Sequence, residues 1–167
     1  MKTSASSLKH GTGNSIRYLG RQYRLRIRQG DLDVIKLTRG CLEVFFRRGS
    51  PQDTASTLIA AWWNDRAKQK LAERFERCAK HLEGFGMKSG DFSLRQMQRR
   101  WGSCTKQGRV LLNPSLIVAS VDCIDYVICH ELCHLRHHHH GREFYNLMSR
   151  VLPDWKMRKA KLESLLI

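Results

Sequence analysis

The run CHELCHLRHHHHGREF (129–144) constrains this chain more than any other stretch, because it sets six of the eight histidines at fixed offsets. His130, Glu131 and His134 make the pattern H-E-x-x-H. The residues before it predict a helix: Ser120 is a suitable N-cap, Asp122 suits the positive helix end, and Val121, Ile124, Ile128 and Leu135 form an apolar stripe. Residues i and i+4 of a helix share one face, so two imidazoles can converge on one ion. Glu131 projects about 100° round the axis from His130, beside such an ion rather than onto it. A base that acts on a water at the ion has to stand there. Zinc suits the pattern, since its catalytic sites use three protein ligands and keep a fourth position open.

The third ligand must come from beyond the helix. Were the helix to continue, His138 would stand about 12 Å along the axis from His130, too far to share an ion. His140, followed by a Gly141 suited to a sharp turn, is the first candidate; Glu143, Asp154 and Glu163 are alternatives. His137, His138 and His139 read as bystanders, and the internal run of four histidines does not read as a purification tag. Cys129 and Cys133 read as small apolar groups, because one helix cannot wrap four ligands round an ion.

Earlier in the chain the period is two. Tyr23, Leu25 and Ile27 point one way and Arg24, Arg26 and Arg28 the other, so residues 15–49 predict two or three antiparallel strands. The arginine row fits a solvated sheet face or a set of phosphate contacts. Over 51–84 the period becomes helical, with Leu71, Phe75, Cys78 and Leu82 on one stripe and Leu58, Ile59 and Trp62 at its start. Residues 92–119 read as strand, Gly-containing turn, strand. After the histidines come a helix to about Leu152, a break at Pro153 and a final basic helix. The order predicts an α+β domain: N-terminal antiparallel strands, a long helix, a short sheet, the H-E-x-x-H helix and C-terminal helices. Residues 1–14, polar and Gly/Ser-rich, read as a disordered leader, and 15–167 as a single domain.

With 30 Lys+Arg against 15 Asp+Glu the chain carries a formal +15, a field that attracts nucleic acid, nucleotides or acidic membrane surfaces. No run approaches the roughly 18 apolar residues of a membrane span. The start of the chain lacks the apolar region of a secretion signal, and its six cysteines lie mostly in apolar segments. Reduced thiols and a cytoplasmic location are the expectation.

The segments RRWGSCTKQGRVLLNPSLIVAS and DYVICHELCHLRHHHHGREF resemble the YgjP-like metallopeptidase family, relatives of the SprT-like zincins. The matching features are RWGSC (100–104), the Gly-containing turn, Leu112-Asn113, the histidine motif and an H-x3-F ending at Phe144. The resemblance implies a zincin-like fold, one zinc ion held by His130, His134 and His140, and Glu131 as catalytic base. It departs in its histidine-rich stretch, which keeps His139 open as an alternative ligand, in Gly141 where Ser is common, and in Tyr145 where Trp is familiar. The ligand spacing also equals that of metzincins. However, His137 occupies the place of their turn glycine, and only Met148 or Met157 could mimic their later methionine turn.

Three functions remain in view. The first is a zinc-dependent hydrolase cleaving peptide bonds, with the RWGSC strand pairing to an extended polypeptide substrate. Trp101 is then a substrate contact or a core residue, and Asp125 a partner behind the ligands or a surface charge. The second is metal-dependent hydrolysis of nucleoside triphosphates, with Arg99, Arg100, Lys106 and Arg109 on the phosphates; there is no P-loop to support it. The third is a basic nucleic-acid-binding module with structural zinc, for which a closed four-ligand shell is needed.

Overall fold

Alternation of apolar and basic residues produces the first sheet of this computed structural model, which describes residues 14–88 and 90–166. Its strands are β1 (Ser15–Tyr18), β2 (Arg21–Gln29), β3 (Val34–Thr38) and β4 (Cys41–Phe46), in spatial order β1-β2-β4-β3. The β1–β2 and β3–β4 pairs are antiparallel, as alternation and short turns lead one to expect. The central β2–β4 pair is parallel, with Leu25 beside Leu42 and Ile27 beside Val44, so the sheet is mixed and has four strands rather than two or three. Period-2 patterning marks a strand and its buried face, but β4 inserting between β2 and β3 is a long-range choice it does not encode. The expected leader lies outside the described residues except for Asn14, whose carbonyl accepts from the Leu25 amide at 2.7 Å.

Helix α1 (Pro51–Glu83) begins at a proline, which costs nothing at a first turn, and buries Ala55, Ile59, Trp63, Ala67, Leu71, Phe75, Cys78 and Leu82. Leu58 and Trp62 lie at the margin of that stripe, only partly buried. The second sheet has three short strands: β5 (Phe92–Leu94), β6 (Gly102–Cys104) and β7 (Val110–Leu112), ordered β5-β7-β6. β6 and β7 form the expected hairpin, whose turn contains Gly108 at φ +83°, a conformation that favours glycine. After β7 the chain makes a 3-10 turn (Pro114–Val118) where sequence pattern predicts continued strand. Pro114 lacks an N–H for the ladder, and the Asn113 side chain accepts from the Ser115 amide at 3.1 Å to start the turn.

Helix α2 (Val121–Cys133) carries the motif; α3 (Arg142–Val151) and α4 (Trp155–Glu163) follow, separated at Pro153. Ser120 occupies the N-cap of α2, but its hydroxyl donates to the Cys123 sulfur at 3.2 Å rather than capping the helix. One continuous apolar cluster joins both sheets, α1 and the three later helices, with Leu42, Leu71, Leu112, Ile124, Ile128, Leu132 and Phe144 fully enclosed. The six cysteines are all free thiols, four of them buried. Among the described residues no helix is long and apolar enough to cross a membrane.

Candidate metal centre

Burial fixes one end of the site. α2 is apolar on nearly every side and sits inside the core, so the face carrying His130 and His134 opens where the helix ends. The helix stops at Cys133; the Leu135 and Arg136 amides bond back to Leu132 and Cys133 in a tightening turn. The chain then doubles back, and α3 begins with Arg142. Gly141 stands at the α3 N-cap with φ −85° and ψ −175°, an extended conformation open to any residue, so the expected glycine-dependent turn is not found there. The chain turns at residues 134–136 and bends again at 138–139.

This reversal brings ligand-capable nitrogens of His130, His134 and His140 within 4.8 Å of one another, the first two half-buried and the third exposed. The Nε2 atoms of His130 and His140 are 2.9 Å apart. Two imidazole lone pairs aimed at one point repel unless a proton or a cation lies between them. Two nitrogens on one tetrahedral zinc stand about 3.3 Å apart, so this arrangement fits a metal with an adjustment of a few tenths of an ångström. His134 Nδ1 lies 3.0 Å from the His137 carbonyl, which holds Nδ1 as the protonated nitrogen and leaves Nε2 free to ligate. His137 therefore contributes through its backbone. His138 and His139 are exposed and stand outside the group, as do Glu143, Asp154 and Glu163. Asp154 pairs with Arg158 at 2.9 Å and Glu163 with Lys159 at 3.7 Å.

Phe144 forms the floor. Fully buried, its ring centroid lies 5.0, 4.7 and 4.8 Å from those of His130, His134 and His140. Burial, with His134 and His140 adding to it, pushes the His130 imidazole down to about 4, and burial lowers His134 as well. Neutral imidazoles are the state that binds metal.

Glu131 lies beside the histidines and is 8% exposed. Burial raises its carboxyl to about 7, against a weaker opposing pull from the Arg100 guanidinium. What lets it lie there is Gly102 of β6: a Cβ at that position would stand 2.8 Å from Glu131 Cγ and 3.0 Å from Oε1. The glycine of RWGSC is thus a steric requirement of the glutamate, a role its place in the sequence pattern does not reveal. Cys104, two residues on, has its thiol raised by burial and by Glu131, the opposite of what a nucleophilic thiolate needs. β6 is an edge strand, and it bonds β7 through Ser103, with flanking bonds from Asn113 N–H to the Trp101 carbonyl and from Thr105 N–H to the Arg109 carbonyl. By that alternation the N–H and C=O groups of Gly102 and Cys104 point away from β7, with Gly102 buried and Cys104 half-buried.

The remaining residues fall into place around this group. Trp101 is partly buried against the core. Asn113, almost fully buried, donates from Nδ2 to the Met97 and Arg100 carbonyls at 2.8 and 3.0 Å, fixing the segment that leads into β6. Asp125 neither backs the ligands nor sits free on the surface: it takes a two-pronged bond from Arg74 of α1, at 2.8 and 2.6 Å. Cys129 and Cys133 are buried in the core, and Met148 lies within α3, its sulfur 3.9 Å from that of Cys133. A methionine in mid-helix makes no methionine turn, and Met157 is 65% exposed. Arg99, Lys106 and Arg109 are exposed, and of the basic residues in that segment only Arg100 acts on Glu131.

Against this geometry, the model of the YgjP-like family, a metallopeptidase domain, matches residues 3–165. The chain belongs to the YgjP-like family. It is a hydrolase of the metallopeptidase type, and a family of that kind implies a metal ion. No curated protein matches the chain significantly. Among solved structures it resembles the metallopeptidase zymogen abylysin of Pyrococcus abyssi, at 20% identity and TM-score 0.51, over 57% of this chain and 94% of that one. It likewise resembles the metallopeptidase zymogen jannalysin of Methanocaldococcus jannaschii, at 18% identity and TM-score 0.50, over 59% and 91%. At such identities the likeness is one of fold: α+β and zincin-like, as the order of elements predicts.

Proposed function

We propose that this YgjP-like protein is a zinc-dependent peptidase in which His130, His134 and His140 hold one ion and Glu131 is the general base. The observation that carries this reading is the convergence of three imidazole nitrogens beside a buried glutamate held near neutrality. When bound, zinc supplies Lewis acidity that polarises a peptide carbonyl and acidifies an attacking water. Glu131 takes the proton from that water as it attacks the carbonyl carbon, and passes it to the leaving amine as the C–N bond breaks. Gly102 keeps the carboxyl in place, Phe144 packs against all three imidazoles, and burial favours the neutral form of His130 and His134. The edge of β6 that faces away from β7, at the half-buried Cys104 above all, offers backbone groups to an extended polypeptide, which would lie beside the glutamate. Three donors and no fourth among the described residues favour a catalytic ion over a structural one.

The test is to load the purified chain with zinc and incubate it with unfolded polypeptides and nucleoside triphosphates in parallel. The expected result is polypeptide cleavage, reduced at least about a hundredfold in Glu131→Gln. Phosphate or pyrophosphate release that depends on Glu131, with polypeptides left intact, would overturn the substrate and favour nucleotide hydrolysis.

A further inference from the structure

The first sheet has a second face that the metal chemistry does not use. Cross-strand partners share a face, so the register places Arg17, Arg24, Arg26, Arg28 and Lys36 together, with Glu43 the only acid among them. The opposite face holds Ile16, Tyr18, Leu25, Leu42 and Val44 and is buried in the core. Arg17, Arg24, Arg28 and Lys36 are exposed, while Arg26 leans toward Glu43 at 3.8 Å and Lys36 lies over the Phe45 ring at 5.5 Å. Five cations against one anion on a single sheet face leave a dense positive field. Nothing among the described residues neutralises Arg17, Arg24 or Arg28 through an ion pair.

We infer that this face docks nucleic acid through its phosphate backbone, without regard to sequence. The dimensions agree: Arg24 to Arg28 spans about 13 Å along β2, and β1 to β3 about 14 Å across the sheet. With one phosphate per about 3.4 Å of strand, that length faces about four phosphates. Arginine is the side chain that grips phosphate with two parallel N–H bonds. The chemistry disfavours other polyanions. Among the described residues the exposed large apolar side chains are Leu32, Leu37, Tyr145 and Met157, none at a position on this face, whereas membrane docking calls for apolar insertion beside the charge. A protein partner would likewise want an apolar anchor at the centre, and Phe45 there is half-buried beneath Lys36. The sheet meets the 3-10 turn that precedes α2, where the Leu19 and Gly20 amides donate to the Ile117 and Val118 carbonyls, and Gly20 packs against Ser120, the N-cap of α2, about 15 Å along the helix from His130. The inference does not depend on the peptidase reading.

The test uses the full chain and random-sequence oligonucleotides, single-stranded and duplex, with binding measured across a salt series. Three variants are compared: Arg17→Gln/Arg24→Gln/Arg28→Gln; the same positions changed to Lys; and Lys68→Gln/Arg77→Gln/Lys80→Gln, which removes equal charge from the exposed face of α1. Expected is a loss of roughly tenfold or more for the first, with the log–log salt slope smaller by about 2 to 3. The Lys variant should keep most of the slope, and the α1 variant should change affinity by less than about threefold. Equal losses from the two Gln variants would reduce the effect to net charge and overturn the inference. It would also be overturned if the parent chain failed to bind oligonucleotides, or if it preferred phosphatidylserine–phosphatidylcholine vesicles to them.

Discussion

Glu131 gathers the competing demands of this site into one side chain. The base proposed above must be partly starved of water to titrate near neutrality, and burial beside Gly102 and the core does this, lifting the Glu131 carboxyl from the usual 4.5 to about 7. In the metal-free chain the folded state therefore keeps a proton between those values that the unfolded chain has released. The stability this group contributes is complete below about 4.5 and is lost as the pH rises through about 7. Glu131→Gln removes the titration, so metal-free variant and parent should diverge as the pH rises from 4.5 to 7, the variant gaining on the order of 3 kcal/mol and the difference then levelling off. His130, lowered from 6.5 to about 4, loses its contribution as the pH falls through that range, but it does so in both proteins and cancels from the difference. Urea denaturation of chelator-treated parent and variant at several pH values checks this; parallel curves would mean that Glu131 is not starved of water.

At the scale of elements, α2 has to be held firmly if its last turn is to present two histidines. Arg74 and Asp125 do part of this across 51 residues of sequence, with side chains only 10% and 17% exposed. Removing one partner strands a buried charge, so Arg74→Ala should cost about 3–5 kcal/mol in unfolding free energy. Arg74→Met with Asp125→Leu should recover most of that loss. A loss below about 1 kcal/mol in chemical denaturation would show the pair to be peripheral. The same pair marks where sequence reading stops. Period identifies α1, and its buried stripe, with Leu71, Phe75, Cys78 and Leu82, is legible in the sequence. Arg74 lies inside that stripe, and a charge there makes sense only with a partner that local pattern does not contain. Similarly, alternation marks β2 and β4 but not their parallel pairing, and the 3-10 turn after β7 depends on Asn113, whose amide faces inward to two distant carbonyls.

For the molecule as a whole, the candidate site divides along the same line. H-E-x-x-H names its residues because one helix supplies both histidines and the glutamate, so spacing alone sets their geometry. The convergence of His140 depends on a chain reversal, the Phe144 floor on packing of α3 under α2, and the Gly102 cradle on a strand from another sheet. Those are tertiary facts: reach along the chain points to His140, while only the kinship with YgjP-like proteins hints at Phe144 and Gly102 in the sequence. The charge of +15 divides too: its excess and the row Arg24, Arg26 and Arg28 are legible in the sequence, whereas the placing of Arg17 and Lys36 beside that row comes only from register.

The central claim is that three histidines, His140 among them, hold one metal. The most direct measurement is zinc bound per chain after equilibrium dialysis, in the parent, His139→Ala and His140→Ala. The expected result is about one zinc in the parent and in His139→Ala, and a small fraction of that in His140→Ala. If His140→Ala kept a full zinc while His139→Ala lost it, the three-histidine centre described here would be wrong.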